Sequence, residues 1–197
     1  MGRHKGYDPE VITDKAMELF WLNGYHGTST QDLVEHLKIN RNSLYAEFGS
    51  KQSLYEKALT RYEREMVTSN IGALESADAG IAEIGALLKA FAANARTANS
   101  KRGCLMCNTA AELAPHNPNS QRFVEANVER IASAFTNALK RAQRRGEVRA
   151  EIRCTEEGRY LAVTLFGFFV MLRAQIEPKV LRGAANAALR YLEGLRS

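Results

Sequence analysis

Apolar positions recur three and four residues apart along nearly the whole chain, and runs of strict alternation are missing. That period predicts amphipathic helices rather than strands. Ile12, Ala16, Leu19 and Phe20 draw one stripe. Asp8 can cap that first helix, Pro9 suits its opening position, and Glu10 favours the positive end of the dipole. Gly24 ends it. A second helix of about two turns starts near Ser29 or Thr30, with Ser29 and Asp32 spaced as a capping box and Leu33 and Leu37 on one face. The chain breaks over Lys38 to Asn40. Asn40 then caps a third helix that turns Leu44 and Phe48 inward and stops at Gly49. Ser50 caps a long fourth helix reaching about Asn70.

The same period continues after a loop at Ser76 to Gly80. It predicts helices over roughly Ile81 to Ala98, 104 to 113, Ser120 to Arg145, Thr155 to Ile176 and Pro178 to Leu195. Lys101-Arg102-Gly103 breaks the chain, Pro115 and Pro118 end the short helix, and Gly146 ends the longest. The fold class is all-α with about nine helices. The pattern divides the chain into a three-helix unit over residues 1–50 and a larger helical unit over 51–197, with the fourth helix connecting them.

Composition narrows the class. Hydrophobic residues make up 45% and charged residues 25% of 197, which suits a soluble globular chain able to bury a real core. The longest apolar stretch, Leu161 to Leu172, falls short of the roughly 20 residues that span a bilayer. No apolar signal region opens the chain, so the cytoplasm is the expected location. Three cysteines, an odd count, argue against a disulfide framework. The net charge of +5 is uneven. Residues 1–57 hold 7 Lys/Arg against 8 Asp/Glu, so any nucleic-acid reading rests on where those charges sit.

The third helix supplies that placement. "NRNSLYAEFGSK", residues 40 to 51, hides only Leu44 and Phe48 and leads with Arg41, Asn42, Ser43 and Tyr45. Two short helices with a tight turn, the second polar at its tip, make a helix-turn-helix. A major groove roughly 12 Å wide admits one helix, and base edges take forked or bidentate partners. Arg41 can serve guanine and Asn42 adenine; Ser43 and Tyr45 can serve phosphates or bases. Thr30 and Gln31 on the second helix, and Lys51 opening the fourth, fall to the backbone, with Arg3 and Lys5 as a loose arm.

Residues 24 to 59, "GYHGTSTQDLVEHLKINRNSLYAEFGSKQSLYEKAL", resemble the DNA-binding signature of TetR-family transcriptional regulators. The register of G-Y-x-x-T-S, D-L, S-L-Y-x-x-F and S-K-x-x-L carries the resemblance. It implies a homodimeric repressor, released from its operator by a small ligand. Two departures bear on operator sequence: Lys38 stands where the turn usually has Gly, and Ala46-Glu47 replaces a common His pair.

Further along, "YLAVTLFGFFVML", residues 160 to 172, is apolar nearly all round. Leu161, Leu165, Phe168 and Leu172 form one face; Val163, Phe166 and Val170 form another. With Gly183, Ala184, Ala187 and Ala188 of the last helix, followed by Leu192 and Leu195, it suggests a four-helix dimer seam; a buried hairpin within one chain is the alternative. "RGCLMCNTAAELAPHNP" sets Cys104 and Cys107 three apart, with Cys104 at a helix start beside Lys101 and Arg102. That setting lowers a thiol pKa and makes Cys104 a redox-sensing candidate. The R-G-C-L start also resembles a branch of the family in which some members sense oxidants or electrophiles through a cysteine. Two small core thiols are the bland alternative. Phe91, Cys107, Asn108, Ala111, Phe123, Asn127, Phe166 and Val170 are candidates for an effector pocket, and plain core is the alternative for each. No ligand spacing for a metal and no catalytic constellation stands out, so no cofactor and no enzyme activity are expected. The competing class is a helical cysteine-based redox protein or enzyme without specific DNA binding.

Overall fold

A computed structural model describes residues 7–94 and 99–197. The helices are α1 (Pro9–Asn23), α2 (Thr30–Leu37), α3 (Arg41–Phe48), α4 (Lys51–Tyr62), α5 (Thr68–Glu75), α6 (Ile81–Asn94), α7 (Leu105–Glu112), α8 (Pro118–Arg144), α9 (Cys154–Arg173) and α10 (Pro178–Glu193). A π-helical segment, Glu63–Val67, joins α4 to α5 without a break in helical dihedrals, so these run as one rod. Counted that way, the described residues hold nine α-helical rods and a 3-10 turn at Asn99–Arg102. Among them there is no strand, only an isolated bridge between Val148 and Arg196. No helix among the described residues is long and apolar enough to cross a membrane.

The expected caps are present. Asp8 accepts from the Glu10 amide, Ser29 and Asp32 close a reciprocal capping box, and Asn40 and Ser50 each accept from the amide three residues on. Several ends differ from the sequence pattern. The rod beginning at Lys51 reaches Glu75 rather than stopping near Asn70. Pro118 does not end α7; it is the first residue of α8, capped by Asn117, because proline's missing N–H costs nothing there. The C-terminus of α9 is Arg173, and Gln175 then turns the chain at φ 54°. The end of the helix expected to reach Ala98, and Arg3 and Lys5, lie outside the described residues.

The N-terminal helices close on α4. Phe20 meets Tyr55 edge-on at 4.9 Å and Trp21 meets Tyr62 at 5.0 Å. Each large buried ring or leucine contributes about 1.5–3 kcal/mol by leaving water, and Leu33, Leu44, Leu54 and Leu59 are all fully buried. In the C-terminal part, α8 packs on α9 and α10 on α6. Ile131, Phe135, Ala138, Leu139 and Ala142 form the buried stripe of α8, and Leu161, Leu165, Phe168 and Leu172 that of α9. The opposite side of α9 is open: Tyr160, Val163, Val170 and Met171 are exposed, with Val180 and Tyr191 of α10. Leu192 and Leu195 point into their own chain instead.

Candidate nucleic-acid interface and sensor core

The polar edge of α3 follows directly on its Asn40 cap. Arg41, Asn42 and Tyr45 are exposed and Ser43 is half-buried, while Leu44 and Phe48 anchor the underside. Lys38 itself takes the left-handed conformation, φ 55° and ψ 38°, so the turn closes as glycine would close it. Tyr45 ties the edge together. Hydrogen bonds from Thr30 and Arg41 hold its phenol below the ordinary value, and the Arg41 guanidinium lies 5.7 Å from its ring. The Ser43 carbonyl accepts from the Tyr7 hydroxyl at 3.4 Å. Gln31 is exposed and donates to Glu35.

Lys51 is half-buried, its Nζ 4.1 Å from the centre of the Tyr25 ring. Burial lowers its pKa, opposed by the negative charges of Glu112 and Asp32. Glu112 comes from the end of α7 and was not visible as a functional residue in the sequence. Its carboxylate accepts from the His26 amide at 3.1 Å and lies against Gly24, where a Cβ would come within 2.2 Å of Oε1. Gly24 also sits at φ 80°, so glycine is needed there twice over.

At the other end of α7, Cys104 is the N-cap and Cys107 the third helical residue. Cys104 is 3% exposed and Cys107 half-buried. A hydrogen bond from Cys107, joined by one from Tyr62, brings the Cys104 thiol down to about 7 against the push of burial, and Cys107 is pushed up in return. The cause is first the neighbouring thiol, with the Met106 and Cys107 amides of the helix start contributing as expected, rather than Lys101 and Arg102; Arg102 lies over the Trp21 ring at 5.6 Å. Trp21 Nε1 donates to the Gly103 carbonyl at 3.1 Å.

A narrow cavity of about 10 Å³ adjoins Cys104. Phe91 and Asn127 of the expected pocket residues line it, with Tyr62, Ile71, Leu165 and Phe169. Cys107, Asn108, Phe123 and Phe166 lie outside that lining, and Ala111 and Val170 are exposed. Asn108 is buried and donates to the Arg102 carbonyl at 3.5 Å. Asn127 is 1% exposed, and neither amide heteroatom has a hydrogen-bond partner among the described residues. Among the described residues no cluster of three or more His, Cys, Asp or Glu could hold a metal ion.

Residues 12–58 match "Bacterial regulatory proteins, tetR family", and residues 80–188 match "Tetracyclin repressor-like, C-terminal domain". The chain belongs to the TetR family. The HTH-type transcriptional repressor ComR of Escherichia coli is 32% identical over 195 residues, covering 96% of this chain and 90% of ComR. An uncharacterized HTH-type regulator of Bacillus subtilis, YezE, is 32% identical over 77% of this chain and 78% of its own. Among solved structures, the TetR-family regulator CifR, a cysteine mutant complexed with 26-base-pair operator DNA, superposes with a TM-score of 0.84 at 27% identity. It covers 96% of this chain and 98% of CifR. The TetR-family fold, an N-terminal helix-turn-helix on a C-terminal helical domain, is thus the one this sequence adopts.

Proposed function

We propose that this TetR-family chain is a cytoplasmic homodimeric repressor that acts by binding rather than catalysis, with residues 1–50 reading a near-palindromic operator and 51–197 sensing and dimerising. The observation that carries the reading is the exposed tip of α3, where Arg41, Asn42 and Tyr45 project from a helix whose other face is buried. Arg41 and Asn42 read base edges, Ser43 and Tyr45 take phosphates or bases, and Thr30, Gln31 and Lys51 hold the backbone. The Thr30–Tyr45–Arg41 contacts preorganise that edge. CifR, caught on operator DNA, and ComR, a named repressor, support it.

The exposed apolar side of α9 and α10 supports a two-fold seam with a second copy. Such a dimer sets its two α3 helices roughly 34–36 Å apart, one duplex turn. The thiol at Cys104 and the cavity beside it support release by thiol modification or by a small effector.

Selection from a random duplex library, followed by mobility shift, tests the reading. Enrichment of a near-palindrome is expected, and Arg41→Ala should cost about 1–3 kcal/mol and relax preference at one position. Equal retardation of all DNA by both proteins would refute specific readout.

A further inference from the structure

The end of α1 and the turn after it are held by residues far along the chain. Arg173, the last residue of α9, donates from Nη1 to the Leu22 carbonyl at 2.8 Å. Trp21 Nε1 donates to the Gly103 carbonyl at 3.1 Å, and the His26 amide to the Glu112 carboxylate at 3.1 Å. Resting on the regulator reading above, we propose that Arg173 is a positioning residue for operator spacing. It locks the helix-turn-helix head at one angle to α9, so the dimer accepts half-sites at one separation.

The end of α1 calls for an outside cation. The last four carbonyls of a helix find no amide within it, and that end of the dipole favours positive charge. The last turn of α1 carries no basic residue of its own. Arg173 brings both a donor and a charge from α9.

Arg173 is itself closely seated. A Cβ on Gly103 would stand 2.9 Å from the Arg173 Cβ and 3.0 Å from the Phe169 carbonyl, and Gly103 has φ 65°. Glycine lets the chain approach the last turn of α9 that closely. The same residue presents its carbonyl to Trp21, so the grip on α1 is double.

α9 also carries the proposed seam. Val163, Val170 and Met171 are exposed along its open side, and Arg173 ends the same helix. The angle between seam and head is therefore set by one rigid element. The covalent joint, α4, is a single attachment and leaves the head a turning freedom; the second attachment at Leu22 removes it.

Magnitudes show that the grip suffices. One base pair more or less between half-sites moves them by about 3.4 Å and turns them by about 35°. Shared between two heads, each must turn about 17° at its joint. α1 packs on α4, and packed helix axes lie about 8–10 Å apart, so the Leu22 carbonyl would travel about 2–3 Å. That breaks a hydrogen bond of 2.8 Å. α3 follows α1, because the hydroxyl of Tyr7, just before α1, donates to the Ser43 carbonyl at 3.4 Å.

The test takes the full-length protein and the duplex it selects, rebuilt with one or two base pairs added to or removed from the centre. Fluorescence anisotropy then gives affinity against spacing. The wild type should lose at least about tenfold for one displaced base pair, and Arg173→Met, which keeps the apolar stem and removes the donor, about threefold or less. Base preference within a half-site, helix content and sedimentation should stay unchanged. A head that was merely destabilised would bind every spacing more weakly in proportion and keep the steep profile. Arg173→Gln takes the place of Arg173→Met should that variant not fold. A flat wild-type profile, or one equally steep in the variant, overturns the positioning role and leaves the regulator reading standing. A protein that selects no duplex refutes the regulator reading, and this one with it.

Discussion

Tyr55 and Thr109 join their hydroxyls at 2.8 Å inside the seam between α4 and α7. Thr109 gives its own proton to the Leu105 carbonyl at 2.7 Å, so Tyr55 is the donor. The two substitutions are then unequal. Tyr55→Phe removes a donor and leaves Thr109 satisfied, which should cost about 0.5–1.5 kcal/mol. Thr109→Val strands a fully buried phenol and should cost more, about 1–3 kcal/mol. Urea melts of the two variants check the order; a larger loss for Tyr55→Phe would show the donor assignment to be reversed.

Lys38 holds the helix-turn-helix turn at φ 55°, where a Cβ is strained. Its side chain is exposed and has no packing to lose. Lys38→Gly should therefore raise stability by about 0.5–1 kcal/mol, the relief exceeding the entropy glycine adds to the unfolded chain. The urea midpoint should rise; an unchanged or lower one would mean the turn carries no strain.

Val163 is 66% exposed at the middle of the open side of α9. Val163→Asp places a charge in the proposed seam and should convert dimer to monomer with unchanged helix content. Sedimentation velocity with circular dichroism reads both. A dimer that survives would move the seam elsewhere.

Glu75 pairs with Arg130, and that hydrogen bond holds its carboxyl below the ordinary 4.5. A depressed carboxyl stabilises the fold above its unfolded pKa and stops doing so as pH falls through the depressed value. Both side chains are near the surface, at 34% and 28% exposure, so the effect is about 0.5 kcal/mol. The stability gap between wild type and Arg130→Met should be present at pH 7 and close at acid pH below 4.5. A gap that persists in acid would come from packing of the Arg130 stem.

Much of this protein is local and therefore legible without coordinates. Asp8, Ser29, Asn40 and Ser50 cap helices through their own next few amides, so the helix starts follow from short spacings. The two faces of α9 and the polar tip of α3 follow from period alone, because a helix fixes which residues share a side. Only the tertiary structure decided what depends on segments distant in sequence. Glu112 reaches His26 and Gly24 across 86 residues or more, and Trp21 reaches Gly103 across 82. Cys104 owes its lowered pKa first to Cys107, then to Tyr62 and the helix-start amides, rather than to the cations beside it, and Asn127 is enclosed with no hydrogen-bond partner among the described residues. A capping residue needs its neighbours in sequence; a buried charge, thiol or amide needs its neighbours in space, and those are set by packing.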